Sequence, residues 1–218
     1  NIVNMALIKG LDIIAVCDHN TARHLPAIAR VAEEAGLPLL PGMEITTAEE
    51  VHLLAYFSSV DKALEFSDYI YPHLPPIPNR PEFFGEQTLL DSEDEPVGTE
   101  PRLLLTALDL TIGQLTRDIN AAGGLAVPAH INRGANGLLV NLGMLPPDEH
   151  FAALEVSNAV PAPDCDTGAY KLLYSSDAHC LENIAEREYF LNVPECSSKG
   201  LFEYLCACRE RVWSANFC

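Results

Sequence analysis

Several hydrophobic runs in this sequence end in side chains of the kinds that bind metal ions. DIIAV runs into Cys17-Asp18-His19, LPLLPGM into Glu44, LAVPA into His130 and YKLLYSS into Asp177-Ala178-His179. His52 differs, because it stands near the start of its own apolar stretch, VHLLAYF. Imidazole and carboxylate are preferred ligands for zinc, iron and manganese. A carboxylate such as Glu44 can bridge two cations, which an imidazole cannot. Two cations clamp the attacking and leaving oxygens of a displacement at phosphorus. On an extended segment, Asp177 and His179 point the same way.

Each residue alone has an ordinary reading. His19 could be a turn or core histidine, Glu44 a surface carboxylate, His130 a packing residue and Asp177 a helix cap. Together they are more informative, because His19, His52, His130 and His179 make up most of the seven histidines. They lie too far apart in sequence for any local structure to gather them. In α/β proteins, however, the C-terminal ends of parallel strands share one face, and active sites are built there. His24, His73 and His150 read as a helix flank, a residue before Leu-Pro-Pro and a loop position.

The elements that must position these residues alternate. NIVNMALIKG reads as the end of a helix with Gly10 past its last turn. LDIIAV is a short strand, and a helix is expected from Thr21 to about Ala35, stopped by Gly36. LPLLPGMEITT and EVHLLAYF read as strands, SVDKALEFSDYIYPHL as a helix ending in a proline cluster. Residues 82–102 are acidic and turn-rich and read as an inserted hairpin or long loop. Thr111 caps a helix, TIGQLTRDINAAGG, which LAVPAH follows as a strand. NRGANGLLVNLGMLPPDEH reads as a long glycine-rich loop, AALEVSN and YKLLYSS as strands, and SKGLFEYLCACRER as a last helix. This order predicts one α/β domain over 1–218 with a parallel sheet. The stretch between AALEVSN and YKLLYSS is too short and too poor in helix formers for a parallel crossover. Those strands are therefore expected not to be parallel neighbours, or to have lost residues near Cys165-Asp166.

Composition narrows the function further. The 218 residues are 48% hydrophobic, enough for a real core, with 13 basic against 31 acidic residues and a formal net charge of −18. Such a charge repels a polyanion, so duplex nucleic acid is an unfavoured partner. No run of about 18 apolar residues is present to span a membrane. The seven cysteines are odd in number and form no CxxC pair. Cys206 and Cys208, two apart on a helix, make a poor chelate. Free thiols in a reducing cytoplasm are the expectation. Oligomeric state is not legible.

The motifs DIIAVCDHNT, PGMEITTAEEVHLLAYF, PAHINR and SSDAHC, in that order, resemble those of the polymerase and histidinol phosphatase (PHP) superfamily. The resemblance spans about residues 1–185, with the acidic segment outside it. It implies a distorted (β/α)7 barrel carrying two or three divalent metal ions (zinc, manganese or iron) and hydrolysing phosphoesters. By position, Glu44 would bridge two metals, Asp177 would bind the first, His52 and His130 would complete the second, and His19 and His179 would hold a third. Asp18 would orient His19 or a water. The family opens with a strand bearing a His-x-His pair. This sequence has no such pair and begins within the helix that would follow, so the first strand is expected to be missing from the chain.

The mechanism these residues suggest is in-line attack on phosphorus by a metal-bound hydroxide in a small phosphorylated substrate. Arg133 would hold a non-bridging phosphate oxygen, and His179 or Asp18 would protonate the leaving group. Three other readings use the same residues. They are a nuclease or proofreading-type phosphodiesterase, a metal-containing binding or regulatory domain that docks through its acidic segment, and hydrolysis of a C–N bond.

Overall fold

The computed structural model describes residues 1–215. The chain forms α1 (Ile2–Ile8), β1 (Ile14–Val16), α2 (Leu25–Ala35), β2 (Leu39–Thr46), β3 (His52–Tyr56) and α3 (Val60–Ile70), with a 3-10 turn at Tyr71–His73. Next come α4 (Pro81–Phe84), β4 (Thr88–Leu90), β5 (Pro96–Thr99), α5 (Ile112–Ala121), β6 (Leu125–Pro128) and α6 (Leu138–Leu142). Last are β7 (Leu154–Ser157), β8 (Leu172–Ser175), a 3-10 turn at Leu181–Asn183 and α7 (Ser198–Ala215). The order is α/β, as expected from the alternation in the sequence.

The sheet is mixed rather than parallel. β1 pairs with β2 in parallel, but β2–β3 and β3–β6 are antiparallel. The physical reason is the link between β2 and β3. Residues 47–51 close a tight turn, with Thr47 N–H donating to the Val51 carbonyl and Val51 N–H to the Thr47 hydroxyl. So short a link cannot make a parallel crossover. β7 and β8 form a second, parallel pair. Residues 158–171 join them without a helix. The expectation that these strands are not parallel neighbours is therefore overturned, because turns and the Gly168 backbone (φ +56) bring the chain back.

The two sheets meet edge to edge. Ala152 N–H donates to the Ala126 carbonyl and Ile131 N–H to the Glu155 carbonyl, so β6 lies beside β7. Six strands thus follow one another in the order β1-β2-β3-β6-β7-β8, and the described residues form no closed barrel.

Helix boundaries follow local chemistry. α2 starts at Leu25 instead of Thr21 because Pro26 is tolerated only in a helix's first turn. It ends at Gly36, which is left-handed (φ 70). α5 opens with a capping box in which Thr111 and Gln114 satisfy each other's backbone N–H groups. The glycine-rich stretch holds the short helix α6 within it. In the acidic segment, β4 and β5 pair as an antiparallel hairpin. The Asp91 carboxylate accepts from Glu93 and Glu95 N–H to shape its turn.

The sheet is covered on both faces. Met43, Ile45, Leu53, Ala55 and Phe57 pack with Phe66 of α3 and Leu115 and Ile119 of α5. Leu40, Leu54, Tyr56, Leu125 and Val127 pack with Leu205 of α7. Strand alternation puts Glu44 and His52 on this second face, in line with Leu40, Leu54 and Tyr56. Cys208 of α7 is buried, and the described cysteines are all free thiols. Among the described residues no helix is long and apolar enough to cross a membrane.

Candidate metal centre

Glu44 lies two residues before the end of the long, wholly buried strand β2. Its backbone continues the β1 pairing beyond the strand, with Glu44 N–H donating to the Asp18 carbonyl and Asn20 N–H to the Glu44 carbonyl. That pairing sets His19 beside Glu44. On the other side, Thr46 is opposite His52 in the antiparallel register, so Glu44 and His52 are diagonal neighbours on one face. His130 follows β6, which is paired to β3. Three imidazoles thus converge on one carboxylate.

The distances are short. His19 Nδ1 is 3.2 Å from Glu44 Oε2, His52 Nδ1 is 3.1 Å from Oε1 and His130 Nε2 is 3.4 Å from Oε1. The facing ring nitrogens of His52 and His130 are 3.2 Å apart. Ligand atoms of His19, Glu44 and His52 all lie within 4.8 Å of one another. His19 Nδ1 is buried and has no hydrogen-bond partner, so its closeness to Glu44 is proximity rather than a formed bond. Unpartnered ring nitrogen, buried carboxylate and two facing imidazole nitrogens form a donor set that fits a divalent metal ion.

Electrostatics agree with that reading. Burial pushes the Glu44 carboxyl up, but hydrogen bonds from His130 and His52 and the charges of His52 and His19 outweigh it, leaving it well below the ordinary range. Burial lowers His19 against the pull of Glu44, so its ring favours the neutral form that a metal requires. His130 is also buried, yet Glu44 holds it above its ordinary value. His19 and His130 are therefore shifted in opposite directions.

Asp177, His179 and Arg133 lie on a second flank. Asp177 follows β8 in a left-handed backbone (φ 46), and the Arg133 guanidinium pairs with its carboxylate. His179 is 65% exposed, and its ring centre is 6.0 Å from that of His19. Its Nδ1 lies 2.9 Å from the Asp177 carbonyl. The chain thus brings His19, Glu44, His52 and His130 into one knot, and sets Asp177 and His179 at its rim.

Two placements add to the sequence reading. Arg133, expected to hold a phosphate oxygen, is paired with the Asp177 carboxylate. The Asp18 carboxylate lies 2.6 Å from Nδ1 of His24, which the sequence suggested was a helix flank. The other ring nitrogen of His24 lies 3.1 Å from the Thr88 carbonyl and 3.2 Å from Leu90 N–H. His24 therefore clasps the acidic hairpin to the loop that carries His19. Sequence reasoning also passed over Glu155, a buried carboxylate on β7. The available signal was a lone acid between Leu154 and Val156 in an apolar strand.

No protein-family model matches the sequence, and no sequence among curated proteins does. Solved structures do match. Endonuclease Q from Pyrococcus furiosus superposes with a TM-score of 0.66 at 16% identity, over 94% of this chain and 50% of its own. Endonuclease Q bound to a 27-mer duplex with an abasic lesion at its active site gives 0.63 at 16%, over 94% and 51%. A candidate metal-dependent phosphoesterase from Bifidobacterium adolescentis gives 0.60 at 18%, over 94% and 89%. The chain spans about half the length of the endonuclease Q chains. These likenesses show the fold: the chain is folded like these proteins, whose folds are of the PHP type.

Proposed function

We propose that this chain is a metal-dependent phosphoester hydrolase acting on a small phosphorylated molecule. The observation that carries the reading is the Glu44 carboxylate with His19, His52 and His130 each within 3.4 Å. These four, with Asp177 and His179 at the rim, would hold two or three divalent ions of zinc, manganese or iron. Such ions supply Lewis acidity and a nucleophile at neutral pH.

The chain's own residues do the rest. Arg133, partly exposed beside Asp177, binds a non-bridging phosphate oxygen by its forked donors. His179, the most exposed of the set, protonates the leaving oxygen. Asp18 serves indirectly, since His24 already occupies its carboxylate. A single domain over 1–218, with the acidic hairpin as an insert, belongs to the same proposal, as does a cytoplasmic setting for its free thiols. So does a distorted (β/α)7 barrel, supported by the side-by-side order of six strands.

A second reading is a nuclease, favoured by the likeness to endonuclease Q, whose described complex holds a duplex with an abasic lesion. The net charge of −18 argues for the small substrate. The test is turnover of p-nitrophenyl phosphate, bis(p-nitrophenyl) phosphate and an abasic-site duplex, each with added manganese, zinc or iron. The proposal expects a chromogenic ester to be hydrolysed and the duplex left intact. Duplex cleavage supports the second reading. Absence of all turnover by metal-loaded protein would make the chain a metal-containing binding domain.

A further inference from the structure

Glu155 is a carboxylate that the proposed reaction leaves without a role. It lies on β7, 5% exposed, behind the knot of imidazoles. A buried carboxylate is retained only where its oxygens are satisfied. One oxygen, Oε2, accepts the backbone N–H of His130 at 2.9 Å. The other accepts the hydroxyl of Ser175.

The two partners stand on different strands. His130 follows β6 with a backbone φ of +29, in the left-handed region that side chains other than glycine avoid. Such a conformation persists only when neighbouring groups over-determine it. Here the Glu155 side chain takes the His130 N–H while its own carbonyl takes the Ile131 N–H. Ser175 ends β8, two residues before Asp177. One side chain on the middle strand therefore ties the end of β6 to the end of β8.

We infer that Glu155 is a positioning residue for the metal centre: it fixes the backbone of His130, and through Ser175 the approach to Asp177, without itself touching the ion. The inference rests on the reading of the knot as a metal site. It separates two things a buried acid could contribute. A hydrogen-bond acceptor of this shape is provided equally by glutamine, whose oxygen can take the His130 N–H and whose amide can donate to Ser175. A negative charge is not. If position is what matters, glutamine substitutes for glutamate. Outer partners that orient ligands typically affect metal affinity by about 10–100-fold.

The experiment compares the full chain with Glu155→Gln, Glu155→Ala and Ser175→Ala. Amide hydrogen exchange of metal-free protein reads the positioning directly, and calorimetric titration with zinc reads its consequence. Glu155→Ala is expected to speed exchange at His130 at least about tenfold while sparing Ile131, and to weaken zinc about 10–100-fold. Glu155→Gln should keep both within about threefold of the parent, and Ser175→Ala should weaken zinc by an amount between the two. Unchanged exchange at His130 in Glu155→Ala would overturn the inference. So would zinc binding by Glu155→Gln as weak as that of Glu155→Ala, since charge would then be the contribution. Should Glu155→Ala fail to fold, parent-like zinc affinity in Ser175→Ala overturns the tie to Asp177, and weakened zinc binding with rapid His130 exchange in Glu155→Gln overturns the rest. A parent chain that takes up no zinc removes the metal reading, and exchange at His130 still decides the positioning.

Discussion

Glu44 and His52 are diagonal neighbours across the antiparallel pair β2–β3, and their side chains approach to 3.1 Å. The tight turn at 47–51 creates this relationship by folding the start of β3 back against the end of β2. A residue at the beginning of one strand and a residue near the end of another are thereby brought to the same end of the sheet. A divalent ion is expected to stabilise the chain through this pair. At a zinc concentration of about 100 times Kd, the parent gains roughly 2.7 kcal/mol against unfolding. His52→Ala should lose most of that gain in a thermal melt. An equal zinc-induced rise in Tm in parent and variant would contradict it.

The clasp between His24 and Asp18 makes a pH prediction. The Asp18 hydrogen bond raises the His24 ring above its ordinary value, against the opposing effect of burial. A histidine raised on folding stabilises the native state fully below its unfolded value, about 6.5. That contribution is lost as pH rises through the folded value. Asp18→Asn should therefore lower the His24 midpoint in an NMR titration. It should also reduce stability to urea at pH 6 more than at pH 9. A His24 midpoint unmoved by the substitution would show that the carboxylate does not hold the ring.

Gly42 lies two residues before Glu44 on β2. A Cβ there would fall 2.8 Å from the Tyr56 ring, 2.9 Å from the Cys17 sulfur and 3.2 Å from the Ala55 carbonyl. Overpacking of this kind costs about 1–3 kcal/mol. Gly42→Ala should lower stability by that amount in denaturant titration. Because Cys17 adjoins Asp18 and His19 in the chain, metal affinity should fall with it. Parent-like stability would mean that Tyr56 and Cys17 can move aside freely.

Arg133 makes the sharpest kinetic prediction. Its ion pair with Asp177 leaves it partly exposed at the rim of the centre. Arg133→Ala should raise KM for the ester hydrolysed by the parent about tenfold, with a smaller change in kcat, because a group that binds ground state and transition state alike acts mainly on KM. Lysine at this position should restore little, since it lacks the planar fork. A fall in metal content instead of a rise in KM would assign Arg133 to holding Asp177.

Much of this was legible in the sequence, and the parts that were not share a cause. Apolar runs closed by His130 and Asp177 marked strand ends, and Gly36 and Thr111 marked helix ends, because backbone conformation and capping are local. Strand direction was misjudged at β3 because it depends on how a five-residue link closes, which alternation alone does not encode. The roles of His24 and Glu155 were missed because their partners, Asp18, Thr88, His130 and Ser175, belong to other segments. The same holds for Asp18, expected to orient His19 or a water, whose carboxylate also meets His24 from the following segment.

Glu44 and its three imidazoles are proposed to cage a divalent cation. Elemental analysis of protein purified without chelator tests it most directly, with Glu44→Ala prepared in parallel. At least one zinc, manganese or iron per parent chain is expected, with a large loss of that metal from the variant. A parent chain free of metal, or a variant that keeps its full complement, would contradict it.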